Sequence, residues 1–237
     1  MYLFYKYSDK GKSVKFNNQI INKQTIFLNL LKQFTGEHFY IFLDNCKEDS
    51  IQWFKQFNFD KYFISNHGIG EVFRSTLNEA IKLNDEEVIY FVEDDYLHDI
   101  NSKNCLLEGI NISDYISLYD CPDKYINAND GGNSLIEGGG ENTKVLLTKS
   151  THWKYTNSTT GTFAAKSKTI KEDFEVFQRF IGVNSIGQSD FKDWLFCLEI
   201  TRMGRKIVTP IPGKSTHLIS WFPYNTPIVD WDTILKN

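Results

Sequence analysis

The chain has 237 residues, 41% of them hydrophobic and 15% aromatic, enough apolar material for one sizeable core and too much for a disordered chain. Its 26 basic and 30 acidic residues give a formal net charge of -4, which offers no general attraction for nucleic acid or an anionic membrane, so any anionic ligand must be held locally. No run of 18 apolar residues occurs, and MYLFYKYSDKGKSVKF lacks an apolar leader core; the expectation is a soluble, cytoplasmic protein with no integral membrane segment. Cys46, Cys105, Cys121 and Cys197 are far apart and form no C-x-x-C pair, as expected of reduced packing thiols.

The first hundred residues alternate. YLFYKY reads as a strand, and in NKQTIFLNLLKQFTG the residues Ile26, Phe27, Leu30, Leu31 and Phe34 fall on one helical face before Gly36 stops the helix. FYIFLD, KYFISN and VIYFVEDD read as further strands. Between them EDSIQWFKQF reads as a short helix, and GIGEVFRSTLNEAIKL as a longer one built on Val72, Phe73, Leu77, Ala80 and Ile81. Strand and helix thus alternate three times, which predicts a parallel sheet with right-handed crossovers.

Beyond residue 98 the rhythm changes. YISLYD, KVLLTK and GTFAAK read as strands, and NANDGGNSLIEGGGEN, with five of the fifteen glycines, reads as a loop or hairpin tip. SKTIKEDFEVFQRF and SDFKDWLFCLEITRMG read as helices, the second closed by Gly204, and IVTPIP as a last strand. The aromatic tail STHLISWFPYNTPIVDWDTI is expected to pack across the domain face. With no repeat or linker, residues 1–237 read as one α/β domain, about 1–98 forming a first half and 99–237 a second.

Ligands of open α/β sheets bind beyond the carboxyl ends of the strands. Ser8 and Asp9 follow the first strand, Asp44 and Asn45 the second, Ser65, Asn66 and His67 the third, and Glu93, Asp94 and Asp95 the fourth. Two carboxylates about 4 Å apart repel by roughly 1 kcal/mol in water and roughly 4 kcal/mol in a half-buried setting. A sheltered acidic triplet therefore calls for a cation or a proton.

A strand ending in EDD after a half-domain of βα units resembles the D-x-D type motif of GT-A fold nucleotide-sugar glycosyltransferases. The resemblance implies a three-layer sandwich with a mostly parallel central sheet, a Rossmann-like nucleotide-binding first half and a mixed acceptor half. It implies Asp95 as ligand of a divalent cation on the donor diphosphate, with Glu93 or Asp94 near the ribose. Hard Mg2+ or Mn2+ suits carboxylate oxygens, and a His suits Mn2+ better. KDWLFCLEITRMG resembles the acidic motif that opens a helix ending in Gly; aligned on Gly204, it implies Asp193 as general base of an inverting transfer, with Asp190 the second choice. Lys192 stands where an acid is commoner. Asp190 and Asp193 also fit a helix-capping pair, and a helix start lowers a carboxyl pKa.

TPIPGKSTHL resembles the segment carrying a third metal ligand, which implies His217. NHGIGEVFRSTLNEAI and NSTTGTFAAK resemble donor-side segments, which implies Asn66, Gly68, Arg74 and Asn78 near the donor, Arg74 offsetting diphosphate charge, and Thr160, Gly161 and Thr162 beside the transferred sugar. By the same resemblance Ser8 and Asp44 contact the nucleotide, and Trp153, Trp194, Trp221 or Trp231 offer faces for sugar rings. The activity so implied is transfer of a sugar from a nucleotide-diphosphate donor to a hydroxyl of a glycan or related acceptor. The rival readings are a sugar nucleotidyltransferase of similar fold, whose glycine-rich basic loop is reduced here to Gly11, and a non-catalytic nucleotide or sugar binder.

Overall fold

Aromatic and β-branched runs too apolar to face water on either side form the centre of the molecule, and consecutive residues of each run enter opposite cores. In the strand His38–Asp44, Phe39, Ile41 and Leu43 pack on one face while Tyr40 and Phe42 pack on the other. Val88–Val92 divides in the same way, Tyr90 and Val92 against Ile89 and Phe91. Such double-sided burial is what a parallel sheet covered by helices on both faces requires. The computed structural model describes residues 1–10, 14–16, 19–134, 144–218 and 225–236. Gly11, the stretch 135–143 of the glycine-rich run, and Trp221 lie outside these.

Among the described residues the central sheet has nine strands in the order Lys61–Ser65, His38–Asp44, Tyr2–Ser8, Val88–Val92, Phe163–Lys166, Tyr115–Ile116, Ile207–Ile211, His152–Tyr155 and Leu146–Leu147. Seven run in one direction; Phe163–Lys166 and His152–Tyr155 run against them. The helices Lys23–Gln33, Glu48–Lys55 and Ser102–Gly109 cover one face through Phe27, Leu30, Ile51, Phe54 and Leu106. Ile69–Ala80, Ser167–Glu172, Phe174–Phe180 and Asp193–Arg202 cover the other through Phe73, Leu77, Ile170, Phe177, Phe196 and Ile200. This is the mostly parallel, three-layer α/β architecture expected. The tail helix Trp231–Lys236 buries Trp231 in a third cluster with Ile26, Leu97 and Leu218. All four cysteines are free thiols.

Several segments depart from the sequence reading, among them the helix Ser102–Gly109, which lies in a stretch read as neither helix nor strand. HWKY, with Trp153 as its one fully buried residue, is a strand between Leu146–Leu147 and Ile207–Ile211. The helix expected over SKTIKEDFEVFQRF breaks at Asp173, whose buried carboxylate accepts from Tyr115 Oη (2.6 Å) and Arg205 Nε (2.9 Å). Ser189–Phe191, expected as a helix start, pairs with Ile181–Val183 as a two-stranded hairpin, so Asp190 is no N-cap and Asp193 is the first helical residue after Lys192. That hairpin packs directly on Gly70. A Cβ there would stand 2.5 Å from Ser189 Oγ and 2.6 Å from the Asp190 carbonyl oxygen, which only glycine avoids.

Candidate active site

Parallel register brings the strand ends into one row. Ser8 lies opposite Asp44, and Asp44 opposite Ser65, while the fourth strand delivers Glu93, Asp94 and Asp95 beside them. Because Phe163–Lys166 runs antiparallel to Val88–Val92, its entrance turn, residues 159–162, arrives at the same edge. The short ladder between Tyr96–His98 and Ser215–His217 sets His217 opposite Tyr96, and Leu218 N–H donates to the Asp95 carbonyl at 2.9 Å. A cleft of about 680 Å³ opens over this edge, a size suited to a cofactor-sized ligand.

The cleft gathers Ser8, Asp44, Asn66, Gly68, Glu93, Asp94, Asp95 and His217. His217 Nε2 lies 3.0 Å from Asp95 Oδ2, while Asp95 Oδ1 is buried with no hydrogen-bond partner among the described residues. A lone buried carboxylate oxygen is costly unless something binds it, and the carboxylate–imidazole pair is a donor set acceptable to Mn2+. Among the described residues no group of three or more His, Cys, Asp or Glu side chains converges to hold an ion. A cation at this pair would therefore take its other ligands from substrate phosphates and water, as Mg2+ and related ions commonly do. Burial alone would depress the His217 imidazole, but the adjacent Asp95 carboxylate, with Glu93 and Asp193 beyond it, carries it above its ordinary value.

Asp94 is sheltered by Lys23 (2.7 Å) and by the Ser8 N–H (2.9 Å). Burial and the charge of Asp95 still leave its carboxyl above the usual range. Glu93 pairs with Lys6 at 3.0 Å, so the three carboxylates have three different partners.

Asp193, Thr160 and Gly161 stand outside the cleft's lining, and Gly161 packs against the carboxyl of Glu93, which is part of it. The Gly161 N–H points at Asp193 Oδ2, 3.3 Å away, and a Cβ on Gly161 would lie 2.9 Å from the Glu93 carboxyl carbon and both its oxygens. Thr160 and Gly161 have φ of +48° and +74°, and Thr162 N–H closes the turn on the Thr159 carbonyl at 3.2 Å. Positive φ at both central residues is the geometry of a tight type I′ turn. Burial, then the Glu93 charge, push the Asp193 carboxyl up to about 6, against the N–H groups of Gly161, Trp194 and Thr160. The lowering expected at a helix start is thus outweighed. A carboxyl near 6 is better matched to taking a proton at neutral pH than an ordinary aspartate.

Other expected residues are placed differently. Arg74 is held by Glu71 (3.2 Å) and Gln178, and neither it nor the exposed Asn78 lines the cleft. Asp44 is in the cleft, but its oxygens already accept from Ser65 Oγ, His67 N–H, Gly68 N–H and Asn45 Nδ2; it shapes the loop that borders the site. Trp153 and Trp231 are core residues, and Trp194 is half exposed. The sequence reading missed three lysines, Lys6, Lys10 and Lys23, and the hairpin residues Gly187, Gln188 and Ser189, all of which line the cleft. Lys6 carried a readable signal. A cation between two tyrosines near a strand's carboxyl end, where apolar residues alternate into both cores, has to emerge at the ligand edge.

No protein-family model matches the chain, and no curated protein matches its sequence. Solved structures do. GalNAc-T7 with UDP, GalNAc and Mn2+ superposes with a TM-score of 0.57 at 13% identity, over 91% of this chain and 43% of that one. The chain has a GT-A-like fold. A nucleoside-diphosphate-sugar pyrophosphorylase from Vibrio cholerae RC9 matches over 100% of both chains, TM-score 0.50 and 11% identity. TarS 1–349 of S. aureus matches at TM-score 0.50 and 13% identity, over 88% of this chain and 57% of that one. The chain therefore spans about half the length of the two transferase chains it superposes on. At these identities the likeness concerns the fold, which glycosyltransferases and sugar nucleotidyltransferases share. Among the described residues no helix is long and apolar enough to cross a membrane.

Proposed function

We propose that residues 1–237 form one catalytic domain, a cytoplasmic glycosyltransferase that moves a sugar from a nucleotide-diphosphate donor to a hydroxyl of a glycan or related acceptor with inversion. The reading rests on one observation: a buried carboxylate–imidazole pair, Asp95 and His217, with an oxygen that has no partner among the described residues, lies near a second, half-buried carboxylate, Asp193, whose charge acts on the same imidazole. The GT-A-like fold supports it, and so does the Mn2+ and UDP in the GalNAc-T7 structure.

In this reading Lys6, Lys10 and Lys23 face the donor phosphates, the part assigned to Arg74 on sequence, and Ser8 and Asn66 border the nucleotide. Glu93, Thr160 and Gly161 border the sugar. Asp193 accepts the acceptor's proton as the acceptor oxygen bonds to the anomeric carbon; the carbon–oxygen bond to the diphosphate breaks, and its electron pair leaves with the nucleotide. Charge compensation on that leaving diphosphate is the chemistry supplied by Mn2+ or Mg2+ when bound at Asp95 and His217. Half-exposed Trp194, next to Asp193 in sequence, offers a face for the acceptor sugar.

The test is nucleotide release from a panel of UDP-, GDP-, TDP- and CMP-sugars, with and without Mn2+. Mn2+-dependent release that Asp193→Asn abolishes is expected; undiminished release by that variant would remove Asp193 as base. A second reading, sugar nucleotidyltransferase, draws on the end-to-end match with the pyrophosphorylase and on the lysines near the first strand. Pyrophosphate formed from a nucleoside triphosphate and a sugar 1-phosphate, without sugar transfer, would favour it.

A further inference from the structure

Tyr96 is fully buried between the two ends of the site. Its ring lies against the His217 imidazole, centroids 4.8 Å apart and planes 24° from parallel, with Tyr119 edge-on to both. Its hydroxyl points the other way and donates to the Thr160 carbonyl at 2.8 Å. That carbonyl and the Gly161 N–H belong to one planar peptide unit, in which C=O and N–H point in opposite directions. One end of the unit is therefore fixed by Tyr96 and the other faces Asp193 at 3.3 Å. Thr160 is a non-glycine residue at φ +48°, a conformation held only where its surroundings enforce it, and the Tyr96 hydroxyl is one such constraint.

From this geometry, and resting on the glycosyltransferase reading above, we infer that Tyr96 is a positioning residue with two separable functions: its ring orients the metal-ligand imidazole, and its hydroxyl sets the peptide that aims Asp193. Neither part touches substrate. A residue that only fills the core would carry both functions together, through stability. Here they divide between a ring, which phenylalanine keeps, and an oxygen, which it lacks.

The experiment compares wild type, Tyr96→Phe and Tyr96→Leu in Mn2+-dependent nucleotide release from whichever donor of the UDP-, GDP-, TDP- and CMP-sugar panel the wild type uses. kcat is measured from the rate, and the Mn2+ requirement is read both as the concentration for half-maximal rate and, independently of turnover, as the Kd for Mn2+ from electron paramagnetic resonance of the free ion. Tyr96→Phe is expected to lower kcat about tenfold while its Mn2+ requirement stays within twofold of wild type, since a misplacement of about 1 Å in the site can cost up to about 10²-fold. Tyr96→Leu is expected to raise the Mn2+ requirement at least tenfold as well. Gly161→Ala, which pushes the same peptide against Glu93, is expected to repeat the Phe pattern and serves if Tyr96→Phe does not fold. Wild-type kcat in Tyr96→Phe, or kcat and Mn2+ requirement shifting together in Tyr96→Phe and Gly161→Ala, would overturn the inference. A wild-type protein that releases nucleotide from no donor would instead remove the functional reading, and the inference with it.

Discussion

Replacing Lys23 by Met tests whether the acidic triplet is a sheltered charge cluster or a solvated strand end. The Lys23 and Asp94 side chains are 17% and 13% exposed and 2.7 Å apart, and breaking a buried pair by removing one member costs about 3–5 kcal/mol. Partial exposure puts this pair near the lower limit, about 3 kcal/mol. For a chain of this size 1 kcal/mol shifts Tm by about 2–4 °C, so Lys23→Met should lower Tm by about 6–12 °C at pH 8. The Asp94 carboxyl is already raised by burial, and without Lys23 it rises further. A raised carboxyl contributes stability below its unfolded pKa and loses it as pH climbs through the folded one. The variant's deficit should therefore shrink at pH 5, where Asp94 is protonated. What remains is the lost Lys23 bond to the Ser8 carbonyl (2.9 Å), about 1 kcal/mol or some 2–4 °C. Differential scanning calorimetry at the two pH values reads both numbers; equal losses, or a loss below about 1 kcal/mol at pH 8, would refute the shelter argument.

Three further predictions concern the chemistry. Because Asp193 must be ionised to take a proton and its carboxyl lies at about 6, kcat/KM should fall tenfold per unit as pH drops below about 6; Asp193→Asn should cut turnover about 10²–10⁴-fold while nucleotide binding by calorimetry persists. The raised His217 imidazole sets a proton against the cation, so apparent Mn2+ affinity should tighten as pH rises, a dependence that His217→Ala removes along with most of the affinity. Lys6→Met, which takes a cation from the cleft and from Glu93, should raise donor KM about tenfold, or 1.4 kcal/mol, with the Mn2+ requirement unchanged.

The first half of the fold was legible because each strand is an apolar run of the length a doubly covered sheet needs and each helix carries a clean apolar face. Gly36 and Gly204, with φ of +83° and +97°, end their helices where expected. The second half was less legible because its cues are tertiary. Asp173 sits within a helical pattern, and only the hydroxyl of Tyr115 and the guanidinium of Arg205 make a break there favourable. Asp190 and Asp193 have the spacing of a capping pair, yet Asp190 lies opposite Gly182 in a hairpin, which Ser189 Oγ ties down by accepting from Glu71 N–H at 2.9 Å. In the site, Asp95 and His217 are 122 positions apart and meet through a ladder of two strand triplets that no local pattern marked; the resemblance alone implied that the two residues belong together. The Thr160–Gly161 peptide was marked in the sequence as a turn, but its contacts with Tyr96 and Asp193 were not legible, because they are made by backbone atoms.

The most direct test of the account is a thermal-shift series with nucleotide sugars, with and without Mn2+, on wild type and Asp95→Asn. A ligand at one hundred times its Kd stabilises the native state by about 2.7 kcal/mol, which at about 2–4 °C per kcal/mol corresponds to about 5–11 °C here. At least one nucleotide sugar is expected to produce such a shift in wild type, dependent on Mn2+ and absent in Asp95→Asn. No shift with any UDP-, GDP-, TDP- or CMP-sugar, or an equal Mn2+-dependent shift in Asp95→Asn, would contradict the account.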